Sequence, residues 1–376
     1  MSFLVFLNPY RLLPPLSLVA IAALVLVPAS TSAQLVSFTP NSIRLPLGVD
    51  AGDAKPADLD GDGDIDFVIR HYTGEANGES MYRVSWVRNN GNNNWQLQTD
   101  SITQIPEPNL TSFEVADLDS DGDLDVVTGS AGTLSGQVGG VDSALRLYTN
   151  DGEGSFTVNT ILSVGFFDFF ANASRYIQDI ALADLDGDSD LDIVMVQARA
   201  TSRLAWLPNN GSGNFGDVQI IWARANSQPQ SLDMGDIDGD GDADIAFISG
   251  SGAAGLLGGG ASPRINSARN TGDGMSQQWE IILGPLQSEG GGDLQTPEDL
   301  LLADMNGDSA LDVVAISRRY ILDEGYGVGY ALGDGAGNFG PSQIVESLET
   351  GAPESFHVVD FDQDGDLDWF VTAPDA

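Results

Sequence analysis

The chain contains no cysteine, so it can form no disulfide, offer no thiolate to a metal and carry no lipid-modified cysteine anchor. It is also short of positive charge. Only 15 Lys and Arg stand against 55 Asp and Glu, with 2 His, and the formal net charge is −40. Such a surface repels the phosphates of nucleic acid and of anionic lipid, so nucleic acid is not an expected partner. The scarcity of His and the absence of Cys argue against zinc and copper. No HExxH motif and no nucleophile elbow occurs, and the Gly-rich stretch 250–260 has no phosphate-loop Lys. After residue 34 no run is long and apolar enough to span a bilayer, so no membrane insertion is expected once the N-terminal segment is gone.

That segment, residues 1–33, reads as a signal peptide. Arg11 is its only charge, the run from Leu16 to Val27 is apolar apart from Ser17, and Pro28 breaks it before Thr31, Ser32 and Ala33. The expected product is one domain, residues 34–376, that is secreted, periplasmic or displayed at the cell surface. An exported domain without disulfides needs another staple, and bound metal is one. Asn109, Asn172 and Asn210 begin Asn-x-Ser/Thr sequons, which matter only where the host glycosylates exported chains.

What the chain does have is a repeat. An Asp-x-Asp-x-Asp-Gly-Asp-x-Asp-like loop recurs six times, its starts 52 to 68 residues apart. The copies are Asp58, Asp60, Asp62, Asp64 and Asp66; Asp117, Asp119, Asp121, Asp123 and Asp125; Asp184, Asp186, Asp188, Asp190 and Asp192; Asp236, Asp238, Asp240, Asp242 and Asp244; Asp304, Asn306, Asp308, Ala310 and Asp312; and Asp360, Asp362, Asp364, Asp366 and Asp368. They hold 28 of the 55 acidic residues, so the acidity is clustered rather than spread over a solvated face.

Before each loop apolar residues alternate with others, as in Phe113 and Val115 or Ile180 and Leu182, which predicts a strand with one buried face. After each loop a short apolar run such as Phe67 to Ile69 predicts a second strand. Turns rich in Asn and Gly follow, closed by Trp95, Phe156, Phe215 and Phe339, and supply the positive φ of tight hairpins between a third and a fourth strand. The aromatic that closes each turn is expected between neighbouring sheets. Four-stranded antiparallel sheets arranged radially make an all-β propeller. The loop count predicts six blades, with seven as the alternative, and the stretch from Leu35 to Leu47 is expected to close the ring against the C-terminal blade.

A short loop with oxygens at alternate positions wraps a hard cation. Five carboxylates in nine residues repel one another unless a counter-ion is present, and Ca²⁺ suits so many protein oxygens better than Mg²⁺ does. An acid at the twelfth position would indicate a helix-loop-helix hand, but Ile69, Thr128, Met195, Phe247, Ala315 and Val371 stand there. Ca²⁺, about one per loop and up to six, is therefore the expected cofactor, in a structural role. Ala310 costs little if that position binds through its carbonyl.

With these loops, and with the Asn-Phe-Gly turns at Asn214 to Gly216 and Asn338 to Gly340, the chain resembles FG-GAP/VCBS repeat proteins, whose blades are similar to those of the integrin α-subunit propeller. The resemblance covers 35–376. It implies Ca²⁺ on one face and ligands at the opposite face, and family roles that span adhesion, carbohydrate binding and parts of polysaccharide-degrading enzymes.

Beyond the loops the signals are weaker. If the strand before each loop is innermost, Asp53, Ser112, Asp179, Ser231, Asp299 and Ser355 line a central channel, with Lys55, Glu114, Ala181, Asp233, Leu301 and His357 one pleat on. That channel reads as a water-filled tunnel or as a small cation or sugar site. Arg70, His71 and Tyr72, with Arg318, Arg319 and His357, are candidate ligand residues should they converge. Phe166, Phe167, Phe169 and Phe170 form either an exposed binding patch or a core plug. The expected function is binding or adhesion toward a glycan or a cell-surface protein. The alternatives are a polysaccharide lyase or hydrolase and a purely structural surface protein.

Overall fold

The computed structural model describes residues 2–7, 39–44, 50–91, 94–98, 102–132, 143–164, 176–198, 201–225, 228–250, 264–272, 279–282, 296–319, 325–348, 355–359 and 368–373. Regular structure among them is β-strand, and none of them forms a helix long and apolar enough to cross a membrane.

Each Asp loop joins the first strand of a sheet to the second. In one sheet Leu110–Ala116, Asp125–Ser130, Ser143–Asn150 and Phe156–Val164 pair antiparallel in chain order. Tyr176–Ala183, Asp192–Ala198, Thr201–Leu207 and Gln219–Ala225 repeat the pattern. So do Gln228–Gly235, Asp244–Gly250, Arg264–Asn270 and Trp279–Ile282. Thr296–Ala303, Asp312–Arg319, Gly325–Ala331 and Gln343–Leu348 follow. The sheet that joins the termini has the order Thr39–Arg44, Ser2–Leu7, Asp368–Ala373, Ser355–Val359. The stretch expected to close the ring does reach this sheet, but Ser2–Leu7, from the segment expected to be removed, lies between it and the C-terminal strand.

The expected blade count is corrected by this topology. Among the described residues there are five four-stranded blades, not six or seven. The sheet of the first Asp loop departs from the four-strand rule. Asp50–Ala57, Asp66–Ala76, Glu79–Asn89 and Trp95–Gln98 are joined by Glu107–Pro108, which pairs with Met81 and Tyr82. The cause is an unusually long hairpin. Asn77 and Gly78, at φ 54 and 78, turn it well beyond the blade, and the extended edge is covered by the extra strand.

The first strands lie innermost. Each touches the first strand of the next sheet, and Ser355–Val359 returns to Asp50–Ala57. The core sits between the sheets. Val68, Val84 and Trp86 of the first-loop sheet pack on Phe113, Val126 and Tyr148 of the next. Ile177, Met195 and Ala205 meet Val127 and Leu145, and Phe247 and Ile245 meet Val194 and Trp206. Second strands are covered on both faces, which is why Asp125–Ser130 and Asp192–Ala198 are buried throughout. The turn aromatics Phe156, Phe215 and Phe339 seal these seams, whereas Trp95 stacks within its own sheet on Phe67, centroids 5.3 Å apart.

Candidate functional site

The acidic loops fold around their first aspartate. In the third loop Asp184 Oδ1 accepts the N–H groups of Gly187 and Asp188 at 2.8 and 3.1 Å, and its Oδ2 accepts that of Ser189 at 2.9 Å. Asp236 and Asp304 do the same. To aim those N–H groups inward the fourth and sixth loop residues take positive φ: Gly187 at 76° and Ser189 at 76° in this copy. The fifth-position carboxylate then accepts the N–H of the seventh residue, as Asp188 does from Asp190 at 3.0 Å.

The ninth-position aspartates Asp66, Asp125, Asp192, Asp244 and Asp312 are fully buried. One oxygen of each accepts the N–H of the second loop residue, such as Leu185 to Asp192 at 3.0 Å. The other accepts an N–H from the end of the third strand, such as Asn209 to Asp192 at 2.7 Å. Burial pushes Asp125, Asp244 and Asp312 up to about 6 and Asp192 up to about 7, despite these hydrogen bonds.

The third position fits a cation. Asp60, Asp119, Asp186 and Asp238 each keep a buried Oδ1 with no hydrogen-bond partner, as does Asp117 at a first position. Buried oxygens without a donor are costly unless a positive charge meets them. Around them the oxygens of Asp58, Asp60 and Asp62 come within 4.8 Å of one another, as do those of Asp117, Asp119 and Asp125, of Asp184, Asp186 and Asp192, and of Asp236, Asp238 and Asp244. All-carboxylate donor sets of this kind suit a hard divalent ion.

The loops are not equivalent. Arg88 Nη2 stands 2.5 Å from Asp60 and 3.6 Å from Asp62, and Arg269 Nη1 stands 3.2 Å from Asp238. In the fifth loop Asn306 donates to Asp308 at 3.0 Å. The second and third loops have no such internal cation among the described residues. Asp360, Asp362, Asp364 and Asp366 of the sixth loop lie outside the described residues, and Asp368 opens a strand.

One group of residues escaped the sequence reading. Asn150, Asn209 and Asn270 looked like turn formers, but their side chains are buried ties between sheets. Asn150 Nδ2 donates to Leu59 O at 3.2 Å, Asn209 Nδ2 to Leu118 O at 2.8 Å, and Asn270 Nδ2 to Leu185 O at 3.0 Å. Each acceptor is the second residue of the preceding Asp loop. The usable signal was the return of Asn at one place in every turn but one. The exception has a cause: a Cβ at Gly333 would lie 2.1 Å from Leu311 O.

At the axis, Ser112 donates to Asp179 at 2.8 Å and Ser231 to Asp299 at 2.6 Å, so serine and aspartate alternate from sheet to sheet. Lys55 pairs with Glu114 at 3.0 Å and lies 5.8 Å from the centroid of Phe113. Burial, and then Asp299, pushes Asp179 up to about 8. Burial lifts Glu114 to about 7 and Asp233 to about 6. The channel residues thus tie the inner strands to one another.

The other candidate ligand residues separate. Strand alternation turns His71 to the opposite face from Arg70 and Tyr72. His71 is buried with Nε2 2.9 Å from Ser85 Oγ, and burial lowers its pKa. Tyr72 is exposed and meets Tyr82 edge-on at 5.8 Å. Arg318, Arg319 and His357 are described only in their backbones, on strands Asp312–Arg319 and Ser355–Val359. Phe166, Phe167, Phe169 and Phe170 lie outside the described residues.

Arg70 instead lines an open cleft of about 590 Å³ with Tyr82, Asn109, Leu110, Thr111, Ala131, Tyr176 and Gln178. The strand ends that supply it are the ends remote from the Asp loops, so the cleft opens on the opposite side. Asn109 is fixed at its rim, at φ 46, by bonds from its amide to Glu79 Oε2 at 2.7 Å and Gly132 O at 2.8 Å. On the extra strand, buried Glu107 accepts from Arg146 and from Tyr148 and holds the first two sheets together.

A family model for the FG-GAP-like repeat matches residues 58–128, 184–247 and 304–371, more than half of the chain. The chain belongs to the FG-GAP repeat family. A search of curated proteins finds no match. Among solved structures, an α-L-arabinanase of Penicillium chrysogenum complexed with arabinobiose aligns at TM-score 0.55 and 12% identity, over 86% of this chain and 93% of that one. An α-L-arabinofuranosidase of Fusarium graminearum with arabinobiose aligns at 0.55 and 10%, over the same 86% and 93%. A lectin of Agrocybe aegerita that recognises non-reducing terminal N-acetylglucosamine aligns at 0.46 and 20%, over 78% of this chain, and the chain spans 65% of that lectin's length. For the arabinanase and the arabinofuranosidase, at such identities, the likeness is one of fold.

Proposed function

We propose that this FG-GAP repeat protein is an exported, calcium-stapled propeller that binds carbohydrate through the cleft opposite its Asp loops. The observation that carries the reading is the cleft itself. It sets Tyr82, Tyr176 and Gln178 around a volume of about 590 Å³, enough for a short saccharide. Tyrosine offers a flat apolar face to a sugar ring and a hydroxyl to its substituents. That proteins of the same fold are solved with arabinobiose is consistent with a propeller of this kind serving sugars.

Ca²⁺ would be held by the carboxylates of each Asp loop, with Asn306 in the fifth, and would supply the positive charge that the orphaned third-position oxygens lack. Its role is structural. The ninth-position carboxylates pin the third strands, and the Asn ties pass that order to the preceding loop. Export places the protein where calcium is plentiful, in keeping with the apolar N-terminal segment.

A binding role is favoured over hydrolysis by the cleft's described lining. It holds one guanidinium and two phenols, and no pair of carboxylates of the kind that hydrolyses a glycosidic bond.

The test is retention of the calcium-loaded chain on immobilised polysaccharides. We expect retention on a glycan class, its loss in Gln178→Ala at unchanged melting temperature, its loss in Tyr82→Ala well below that variant's own melting transition because Tyr82 also packs on the core, and its loss in EDTA. Absence of retention on every glycan, or retention that survives both cleft substitutions, would overturn the reading.

A further inference from the structure

The cleft's one charged side chain is unusual for this molecule. With 55 acidic residues in the chain, arginines are expected to find carboxylates. Arg88 is held by Asp60 and Asp62, Arg146 by Glu107, and Arg269 by Asp238 and Glu280. Among the described residues no carboxylate pairs with Arg70. Its Nη1 donates to Leu110 O at 3.1 Å, and its Nε is buried without a partner. The Tyr82 ring lies 5.2 Å from the guanidinium carbon, covering the plane on one face and holding it in place. A guanidinium has five donors in a rigid fork, and the Leu110 carbonyl takes one. Of the Arg70 nitrogens only Nε is both buried and unpartnered, so the remaining donors are open to an incoming acceptor.

Two neighbouring groups are also uncommitted. Tyr176 and Gln178 line the cleft, and among the described residues neither side chain has a hydrogen-bond partner. Asn109 and Thr111, by contrast, are spent on Glu79, Gly132, Gly129 and Ile177. The free functionality is therefore one planar cation flanked by two neutral hydrogen-bonding groups and an aromatic face.

We infer that the cleft is selective for acidic saccharides, with the Arg70 fork binding the carboxylate of a uronate-type residue while Tyr176 and Gln178 address neighbouring hydroxyls. The assignment rests on the carbohydrate reading above and sharpens its ligand class. The planar fork matches a carboxylate in two parallel hydrogen bonds. The net charge of −40 opposes a long polyanion at a distance, so short acidic oligomers are the fitting probes. At about 150 mM salt the screening length is about 8 Å, and the local contact then outweighs the far field.

The experiment uses the full calcium-loaded chain at fixed free calcium and about 150 mM salt. Titration calorimetry compares trigalacturonic acid, its carboxyl-reduced neutral counterpart and triglutamate. The acidic trisaccharide should bind at least about tenfold more tightly than the neutral one, and Arg70→Gln should remove about tenfold to a hundredfold of that affinity. Arg70→Lys keeps the charge without the fork and should recover only part of it. Equal or tighter binding of the neutral trisaccharide overturns the acidic assignment and leaves the carbohydrate reading standing. Binding of triglutamate as tight as that of the acidic sugar overturns the saccharide class. Acid-sugar binding that survives Arg70→Gln, whose Asp loops are intact, places the anion on loop-bound calcium and overturns the role of Arg70. Should Arg70→Gln lose its native melting transition, the three-ligand comparison on the unaltered chain decides the question alone.

Discussion

Replacing Asn209 with alanine tests the claim that Asn side chains stitch the propeller together. Asn209 is 5% exposed, and its amide donates to Leu118 O at 2.8 Å and Leu191 O at 3.1 Å. The backbone bond from its own N–H to Asp192 does not depend on the side chain. Asn209 Oδ1 also accepts the Asn210 N–H at 2.8 Å, so three hydrogen bonds are lost, the two buried ones worth about 0.5–1.5 kcal/mol each, and the buried Leu118 carbonyl keeps only the N–H of Gly213. Together with the small cavity left by the amide, the expected loss is about 2–4 kcal/mol. The control is Asn210→Ala next door. That side chain is exposed and only accepts the N–H of Ser212 at 3.1 Å, so its loss should cost under about 0.5 kcal/mol. Urea denaturation in saturating calcium, followed by tryptophan fluorescence, measures both. If Asn209→Ala costs no more than Asn210→Ala, the stitching argument is wrong. If its loss appears only when calcium is removed, the tie is redundant with the metal loops rather than coupled to them.

Calcium should bind unequally. Arg88 and Arg269 already neutralise the first and fourth loops, so Arg88→Gln should tighten calcium at the first loop severalfold, whereas Asp186→Asn should weaken the third by about tenfold or more; calorimetric titration that finds Arg88→Gln neutral or weakening refutes the competition. Asp179 gives a pH dependence whose sign is fixed. Its folded pKa of about 8 lies above the unfolded value of about 4, so its contribution to stability is complete below pH 4 and is lost as pH rises toward 8. Asp179→Asn does not titrate, so its stability relative to the native chain should rise by at least about 1 kcal/mol between pH 5 and pH 8, and a difference that is flat or falling with pH contradicts the assignment.

Much of this architecture was legible because it repeats. The Asp loops, the alternation before them and the apolar runs after them locate the first two strands of each sheet. The family resemblance carried by the same loops is borne out by the family match. The strand count of the first sheet was not legible. It turns on Asn77 and Gly78, which extend one hairpin, and on Glu107–Pro108, a two-residue strand with no periodicity to read. The cleft was half legible. Arg70 stood out as a candidate, but pairing it with His71 ignored the pleat, which sends adjacent residues to opposite faces. Tyr82, Tyr176 and Gln178 had no local signal, because only the packing of three successive sheets brings them together.

The same pleat explains why a chain this acidic can hold a cation-bearing cleft at all. Each first strand runs from the far face to an Asp loop, so its two ends belong to different electrostatic environments. At the loop end, carboxylates outnumber donors, and buried oxygens are left for a divalent ion. Along the axis, serine hydroxyls and Lys55 share the remaining acids among neighbouring strands. At the far end the described lining of the cleft carries no carboxylate, and Arg70 stands with only a carbonyl and an aromatic ring beside it. Concentrating the acids at one end therefore supplies the candidate metal sites and, by the same arrangement, leaves a guanidinium without an ion pair among the described residues at the other.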